Sequence, residues 1–151
     1  MKWIIPPIKQ IYEALGCIAD ERIEIDGNSA KVYSSSKGKF YSITYNEVKN
    51  AIMSNDNTSY WKGYLGYPSI AFLMKTGKLT YDSRYAEALK GISWKDINVK
   101  FKNDFDKTDA YTQNILSKKG LDIKYLETIL RQIMELDMNL LGPKTKPPEG
   151  Y

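Results

Sequence analysis

Residues 30–45 read AKVYSSSKGKFYSITY, two stretches of strand-forming residues separated by a turn rich in serine, lysine and glycine. In the second stretch Tyr41, Ile43 and Tyr45 alternate with smaller polar side chains, which is the period of a strand with one covered face. The preceding segment, 22–26, alternates in the same way and runs into Asp26-Gly27, a hairpin signal. The sequence therefore predicts a small antiparallel three-stranded sheet.

Patterns typical of helices lie on both sides of this sheet. Apolar residues recur at helical spacing up to position 19, from a start near Pro6 or Pro7. A helix that begins near Pro68 is expected to continue to about Lys75. Residues 46–53 fit either a short helix or a loose continuation of the sheet. Further helices are predicted at 82–90, 94–102, 108–118 and 122–141.

These elements predict an α+β protein with helices packed on the sheet and a helical C-terminal half. A chain of 151 residues is long enough for one core and too short for two ordinary domains. We therefore expect a single domain over 1–141. Residues 142–151 contain three prolines and are expected to form a flexible tail.

The amino-acid composition argues against several classes of function. The chain has no histidine and a single cysteine, Cys17, which excludes catalysis by Ser-His-Asp or Cys-His pairs and zinc sites that need imidazole. We accordingly expect no catalytic residues, no metal and no cofactor. No apolar run is long enough to span a membrane, and no signal peptide is evident. A lone cysteine favours a reducing compartment, so a cytoplasmic location is predicted.

Positive charge and aromatic rings are concentrated in the middle of the chain. Residues 60–102 contain eight basic and three acidic side chains, together with nine of the nineteen aromatic residues. Lysines attract phosphates and aromatic rings stack on bases, so this segment suggests an anionic partner. The alternative is a packed core surrounded by solvated lysines. The candidate nucleic-acid-binding residues are Lys62, Lys78, Arg84, Lys95, Asn98 and Lys102, with aromatic contacts from Tyr60, Trp61 and Tyr64.

Residues 30–75 resemble the SWIM-type zinc finger. In that finger a hairpin with a serine-rich turn is followed by a C-x-C pair, a loop, and a C-x-H pair that opens an apolar helix. Here NAIMSND at 50–56 places the first pair on Ile52 and Ser54, and Asp56 takes the acidic position that follows. The second pair falls on Tyr67 and Ser69, so every ligand is lost. The resemblance implies a metal-free relative that binds DNA or proteins. The alternative is an unrelated hairpin followed by a helix.

A second pattern, at 79–103, is typical of a helix-turn-helix. It has a helix, a turn at Gly91, and a second helix whose large apolar side chains share one face. The opposite face carries Lys95, Asn98 and Lys102, which suit phosphates and base edges in a major groove. The alternative is a plain pair of helices with a solvated face.

The last helix, at 122–141, has apolar residues at 3-4-3-4 spacing and more apolar surface than one stripe requires. The surplus leaves room for a homodimer, although core packing also explains it. The leading hypothesis is a non-enzymatic binding module for nucleic acid or a nucleic-acid-associated protein. The alternative is a homodimeric protein-interaction or assembly subunit, and an enzyme built on tyrosine, lysine and carboxylates is a third.

Overall fold

A computed structural model describes residues 1–143 and confirms the α+β class. Its α-helices, of which α2 packs on the sheet, are α1 (Ile8–Ala19), α2 (Tyr67–Lys75), α3 (Ser83–Ala88), α4 (Trp94–Lys100), α5 (Phe105–Lys118) and α6 (Leu126–Leu136). Short turns of π-helix and 3₁₀-helix lie at Thr58–Lys62 and Ile123–Tyr125. The strands are β1 (Ile23–Asp26), β2 (Ser29–Tyr33), β3 (Phe40–Asn46), β4 (Ala51–Ser54) and β5 (Asn139–Leu140).

The sheet has five strands in the order β1-β2-β3-β4-β5, so the prediction of three strands was wrong. The first four strands are antiparallel neighbours, and β5 pairs with β4 in parallel. The fourth strand comes from residues 46–53, which the sequence left open between helix and sheet. Asn50 takes a left-handed φ of 48° and reverses the chain, which brings the fully buried β4 back against β3.

The fifth strand replaces the end of the predicted helix 122–141, so this prediction was also wrong. The α-helix stops at Leu136 because Asp137 adopts a left-handed φ of 49°. The chain then pairs with β4, with Leu141 N–H donating to the carbonyl of Ile52 at 3.0 Å. The N-terminus covers the same edge, where the Trp3 indole N–H donates to that carbonyl at 2.9 Å.

Helix α1 is the centre of the fold and packs against α2, α3, α5 and α6. Every residue from Lys9 to Cys17 is buried, on the polar as well as the apolar face. Burial raises the pKa of the Cys17 thiol to about 12, so this cysteine is a packing residue. Because α1 is enclosed on all sides, its polar side chains need buried partners. Those partners define the site described below.

The predicted packing of the hairpin on the helix near Pro68 is confirmed. Tyr41, Ile43 and Tyr45 are buried on one face of β3, and the Tyr45 ring lies 5.4 Å from that of Phe72 in α2. Along residues 1–143, none of the helices combines the length and the apolar character needed to cross a bilayer. Most of the predicted flexible tail, 144–151, lies outside the described residues.

Candidate functional site

Two charged side chains are buried on the polar face of α1. Lys9 Nζ and Glu13 Oε2 are 2.6 Å apart, and both side chains are less than one-tenth exposed. The neighbouring Gln10 accepts a hydrogen bond from the backbone N–H of Tyr67 at 2.9 Å. The first turn of α2 is therefore fixed to α1 beside a buried ion pair. A buried ion pair is costly to form, which makes its position informative.

A polar cleft opens beside this ion pair, between the serine-rich turn of the hairpin and α4. Its volume is about 360 Å³, within the usual range of small-ligand sites. A smaller annex of about 90 Å³ adjoins it, and Glu13, Tyr41, Asn57, Tyr67 and Asn98 line both spaces. The remaining residues of the cleft are Ser34, Ser35, Ser36, Lys39, Lys95, Val99 and Asn103.

Two cations line the cleft, Lys39 at the end of the hairpin turn and Lys95 in the first turn of α4. Partial burial and the charge of Lys95 lower the pKa of Lys39 to about 8. The carboxylate of Glu13 also lines the cleft, but Lys9 already neutralises it. An anion that entered between the two lysines would relieve their mutual repulsion.

Tyr41 and Tyr67 form the inner wall of the cleft. Their rings meet edge to face at 6.2 Å, and the Arg22 guanidinium lies 5.9 Å from the centroid of Tyr67. Burial raises the pKa of both hydroxyls, and the charges of Asp56 and Glu13 raise that of Tyr41 further. Both phenols therefore stay protonated at neutral pH and can donate hydrogen bonds to a ligand.

The outer wall is α4, which is attached at its start. The Lys95 N–H donates to Ser35 Oγ at 3.2 Å, which joins α4 to the hairpin turn. Trp94 is buried against Tyr12, with ring centroids 5.1 Å apart. Asn98 on this wall lines the cleft, while its Oδ1 is buried out of reach of solvent and has no hydrogen-bond partner in the described structure.

At the annex, Asp56 joins the end of β4 to the turn of π-helix that follows it. Its Oδ1 accepts hydrogen bonds from Ser54 Oγ and Ser59 Oγ, each at 2.7 Å, and its Oδ2 accepts one from the Ser59 N–H. Burial raises its pKa above the ordinary value, while these hydrogen bonds act in the opposite direction. Three of the positions that the SWIM resemblance assigns to lost metal ligands, Ile52, Ser54 and Ser69, are fully buried. Within residues 1–143, acidic and cysteine side chains form no cluster suited to a metal.

The structure brings only two of the predicted site residues into the cleft, Lys95 and Asn98. Lys78 pairs with Glu47 at 3.2 Å, and Arg84 pairs with Asp82 at 2.7 Å. The other predicted contacts line none of the described cavities: Lys62, Lys102, Tyr60 and Trp61 are at least partly exposed, and Tyr64 bridges to Ile4.

The predicted helix-turn-helix at 79–103 and the apolar stripe predicted for a homodimer lie in different surroundings. Helices α3 and α4 form near 82–90 and 94–102, and Gly91 turns the chain between them with φ of 79°. Asn98, however, is only partly exposed and lines the cleft. In α6 the stripe proposed for a homodimer is largely used within the chain, because Leu126, Ile129 and Ile133 are buried. The helix-turn-helix and the homodimer stay predictions.

The sequence patterns did not indicate most of the residues that line the cleft and its annex: Lys9, Glu13, Lys39, Tyr41, Tyr67 and the serines of the hairpin turn. A signal for two of them was present. Lys9 and Glu13 are four residues apart inside a strongly apolar helical pattern, where an ion pair on the same face is expected. Their burial could not be predicted from the sequence, because it depends on the packing of α2 and α4, which come later in the chain.

Residues 3–140 match a family described as Uncharacterised conserved protein UCP014422. The protein belongs to this family. The match covers all five strands and all the helices described above, so the cleft lies within the segment that defines the family. No curated protein and no solved structure matches the chain.

Proposed function

We propose that the protein is a non-enzymatic binding module for a phosphorylated nucleoside, taken either free or as one residue of a single-stranded nucleic acid. The observation that carries this proposal is the pair of lysines, Lys39 and Lys95, which line one small cavity and lie close enough for the charge of Lys95 to act on Lys39. A phosphate bound beside both cations would pair with them and raise the pKa of Lys39 towards its ordinary value.

The rest of the cleft suits the other parts of such a ligand. Hydroxyls of the serine-rich turn lie beside the lysines and can donate hydrogen bonds to phosphate oxygens or ribose. The inner wall offers two tyrosine rings, and the annex offers amide groups from Asn57 and Asn98. A volume of about 360 Å³ limits the ligand to roughly one nucleotide. A cytoplasmic location is part of this proposal.

The alternative, an assembly subunit that forms homodimers through 122–141, has less support. The apolar stripe of α6 is largely covered by α1 within one chain, and Met134, at 55% exposed, is its most open large apolar side chain. The exposed ring of Trp61 lies outside the cleft and is available for stacking when the ligand is a longer strand.

The test is a binding titration with the four nucleoside 5′-monophosphates and with short single-stranded and double-stranded oligonucleotides at two salt concentrations. Lys39→Gln and Lys95→Gln should each weaken binding about tenfold or more, because each removes one charge-assisted hydrogen bond. The matched control is Lys118→Gln, an exposed lysine on α5. The monophosphates and the oligonucleotides distinguish a free nucleotide from a strand. Absence of binding to all of them, or equal losses in the control, would overturn the proposal.

A further inference from the structure

A second basic cavity adjoins the cleft. Its volume is about 280 Å³, and its lining includes Lys37 of the hairpin turn and residues 90–93, which lead into α4. Ser35 lines both cavities. The Ser35 Oγ accepts a hydrogen bond from the Lys95 N–H at 3.2 Å. The cleft and the second cavity therefore meet where the hairpin turn contacts the first turn of α4.

The charged side chains that line the second cavity have a positive balance. Asp20 and Arg22 offset each other, with Asp20 Oδ2 at 3.4 Å from Arg22 Nε, and Asp20 Oδ1 accepts a hydrogen bond from the Gly91 N–H at 2.7 Å. Two further cations, Lys37 and Lys90, line the same cavity. Both lysines are exposed, and neither takes part in the salt bridges formed by residues 1–143. Like the cleft, the second cavity thus offers a pair of lysines to an anion.

We infer that the ligand is a single strand of nucleic acid, with one phosphate in the cleft and the next phosphate in the second cavity. This inference rests on the proposed function and narrows it to one of its two forms. The first phosphate pairs with the two lysines of the cleft, and the second pairs with Lys37 and Lys90. The Ser35 hydroxyl is shared by both cavities and keeps its own proton to donate to a phosphate oxygen, because its bond to α4 uses it as an acceptor.

A free nucleoside diphosphate suits this arrangement less well. Its two phosphorus atoms share one bridging oxygen, so both phosphates would lie in a single cavity and leave the other pair of lysines unused. Successive phosphates of a strand are separated by a sugar, which lets the strand pass Ser35 and reach both pairs. The volumes of the two cavities, about 360 Å³ and 280 Å³, each suit roughly one nucleotide unit.

The sharpest probes are AMP, ADP and adenosine 3′,5′-bisphosphate, because the last two carry the same two phosphates either joined directly or separated by the sugar. We expect the parent protein to bind the bisphosphate about tenfold or more tightly than AMP in isothermal titration, and ADP no more than about threefold more tightly. The double variant Lys37→Gln/Lys90→Gln should lower the bisphosphate gain to about twofold or less. Its affinity for AMP should stay within about twofold of the parent's, because the cleft is unchanged.

The matched control is Lys75→Gln/Lys118→Gln, which removes the same charge from exposed positions on α2 and α5 and should keep the full bisphosphate gain. Thermal unfolding of both double variants confirms that the fold is retained. Equal affinities of the parent for the bisphosphate and AMP, with AMP binding still dependent on Lys39 and Lys95, would overturn the strand inference and leave the proposed function standing. An equal gain from ADP, or an equal loss in the control, would also overturn it. If no nucleotide binds, the proposed function itself fails.

Discussion

Gly66 lies directly against the carboxylate of Asp56. A Cβ atom at position 66 would overlap Oδ2 of Asp56 and lie 2.7 Å from Ser59 Oγ. The Gly66 N–H also donates to Ser59 Oγ at 3.3 Å. The glycine therefore joins the hydrogen bonds that Asp56 makes with Ser54 and Ser59 at the annex. This close approach fixes the start of α2 relative to the end of β4, and hence the inner wall of the cleft.

Gly66→Ala should destabilise the protein by about 1–3 kcal/mol, the usual cost of overpacking a closed site. The φ of Gly66 is −77°, which alanine adopts freely, so the whole cost is steric. The midpoint and slope of urea unfolding measure it. Gly38→Ala serves as the control, because a Cβ there meets its nearest neighbour at an ordinary 3.5 Å. Equal stability of the two variants would show that Asp56 moves aside without cost.

Asp56 should impose a pH dependence on stability. Its pKa is raised in the folded protein, so between the unfolded and folded pKa values the native state binds the extra proton. Stability from this group is thus fully present below the unfolded pKa and is lost as pH rises towards the folded value. Asp56→Asn removes this titration, and urea unfolding at a series of pH values should show a flatter profile than the parent. Parallel profiles would contradict the shift.

Leu73 tests the packing of α2 on the sheet. It is completely buried in α2, on the helix that covers β3. Leu73→Ala should lower the free energy of unfolding by about 2–5 kcal/mol, because the removed side chain leaves a cavity. Lys75→Ala, an exposed position on the same helix, should change it by less than about 0.5 kcal/mol. An unchanged urea midpoint for Leu73→Ala would contradict the packing described here.

The fold was predictable from sequence where local patterns are strong. The alternation of Tyr41, Ile43 and Tyr45 and the proline near the start of α2 predicted their elements correctly. The fourth and fifth strands were not predictable, because each depends on one non-glycine residue with a left-handed backbone. Asn50 turns the chain into β4, and Asp137 ends α6 before β5. Neither residue type requires that conformation, and β5 depends in addition on β4, a partner strand that is distant in sequence.

The site was predictable in smaller part, for a related reason. The charge distribution and the helix-turn-helix pattern indicated Lys95 and Asn98, which do line the cleft, but also Lys78 and Arg84, which pair with nearby carboxylates. Charged residues can be counted in the sequence, whereas which of them line one cleft depends on the packing of the chain. Glu13 is a candidate only because α2 and α4 pack around α1, and no local sequence pattern predicts that packing.

The anchoring of α4 can be tested at Gly16. A Cβ at this position would lie 3.0 Å from Nε1 of Trp94 and 3.2 Å from the carbonyl oxygen of Leu89. Alanine normally stabilises a helix interior by about 1 kcal/mol relative to glycine, so a net loss of stability in Gly16→Ala would reveal the clash. We expect that loss, together with weaker nucleotide binding as α4 shifts. Trp94→Phe, which frees space beside Gly16, should partly restore both when combined with Gly16→Ala. A variant that gains stability and binds like the parent would show that Trp94 does not fix α4.

Nucleotide affinity should fall as pH rises through about 8, the pKa to which burial and Lys95 bring Lys39. The ammonium form attracts phosphate and the free amine does not, so each added unit of pH above 8 leaves fewer molecules ready to bind. The Tyr41 ring of β3 lies 6.0 Å from this amine, and Glu13 of α1 and Tyr67 of α2 line the same cleft. Both phenols have raised pKa values and stay neutral across this range.

Titrations between pH 7 and pH 9.5 isolate the effect, because the second ionisation of a phosphate monoester, with a pKa of about 6, is complete there. Lys39→Arg keeps the positive charge, and an arginine side chain does not titrate in this window, so its affinity should stay level while that of the parent declines. Lys118→Arg, on the exposed side of α5, should follow the parent. A decline of equal size in Lys39→Arg would assign the titration to another group and remove Lys39 from the phosphate site.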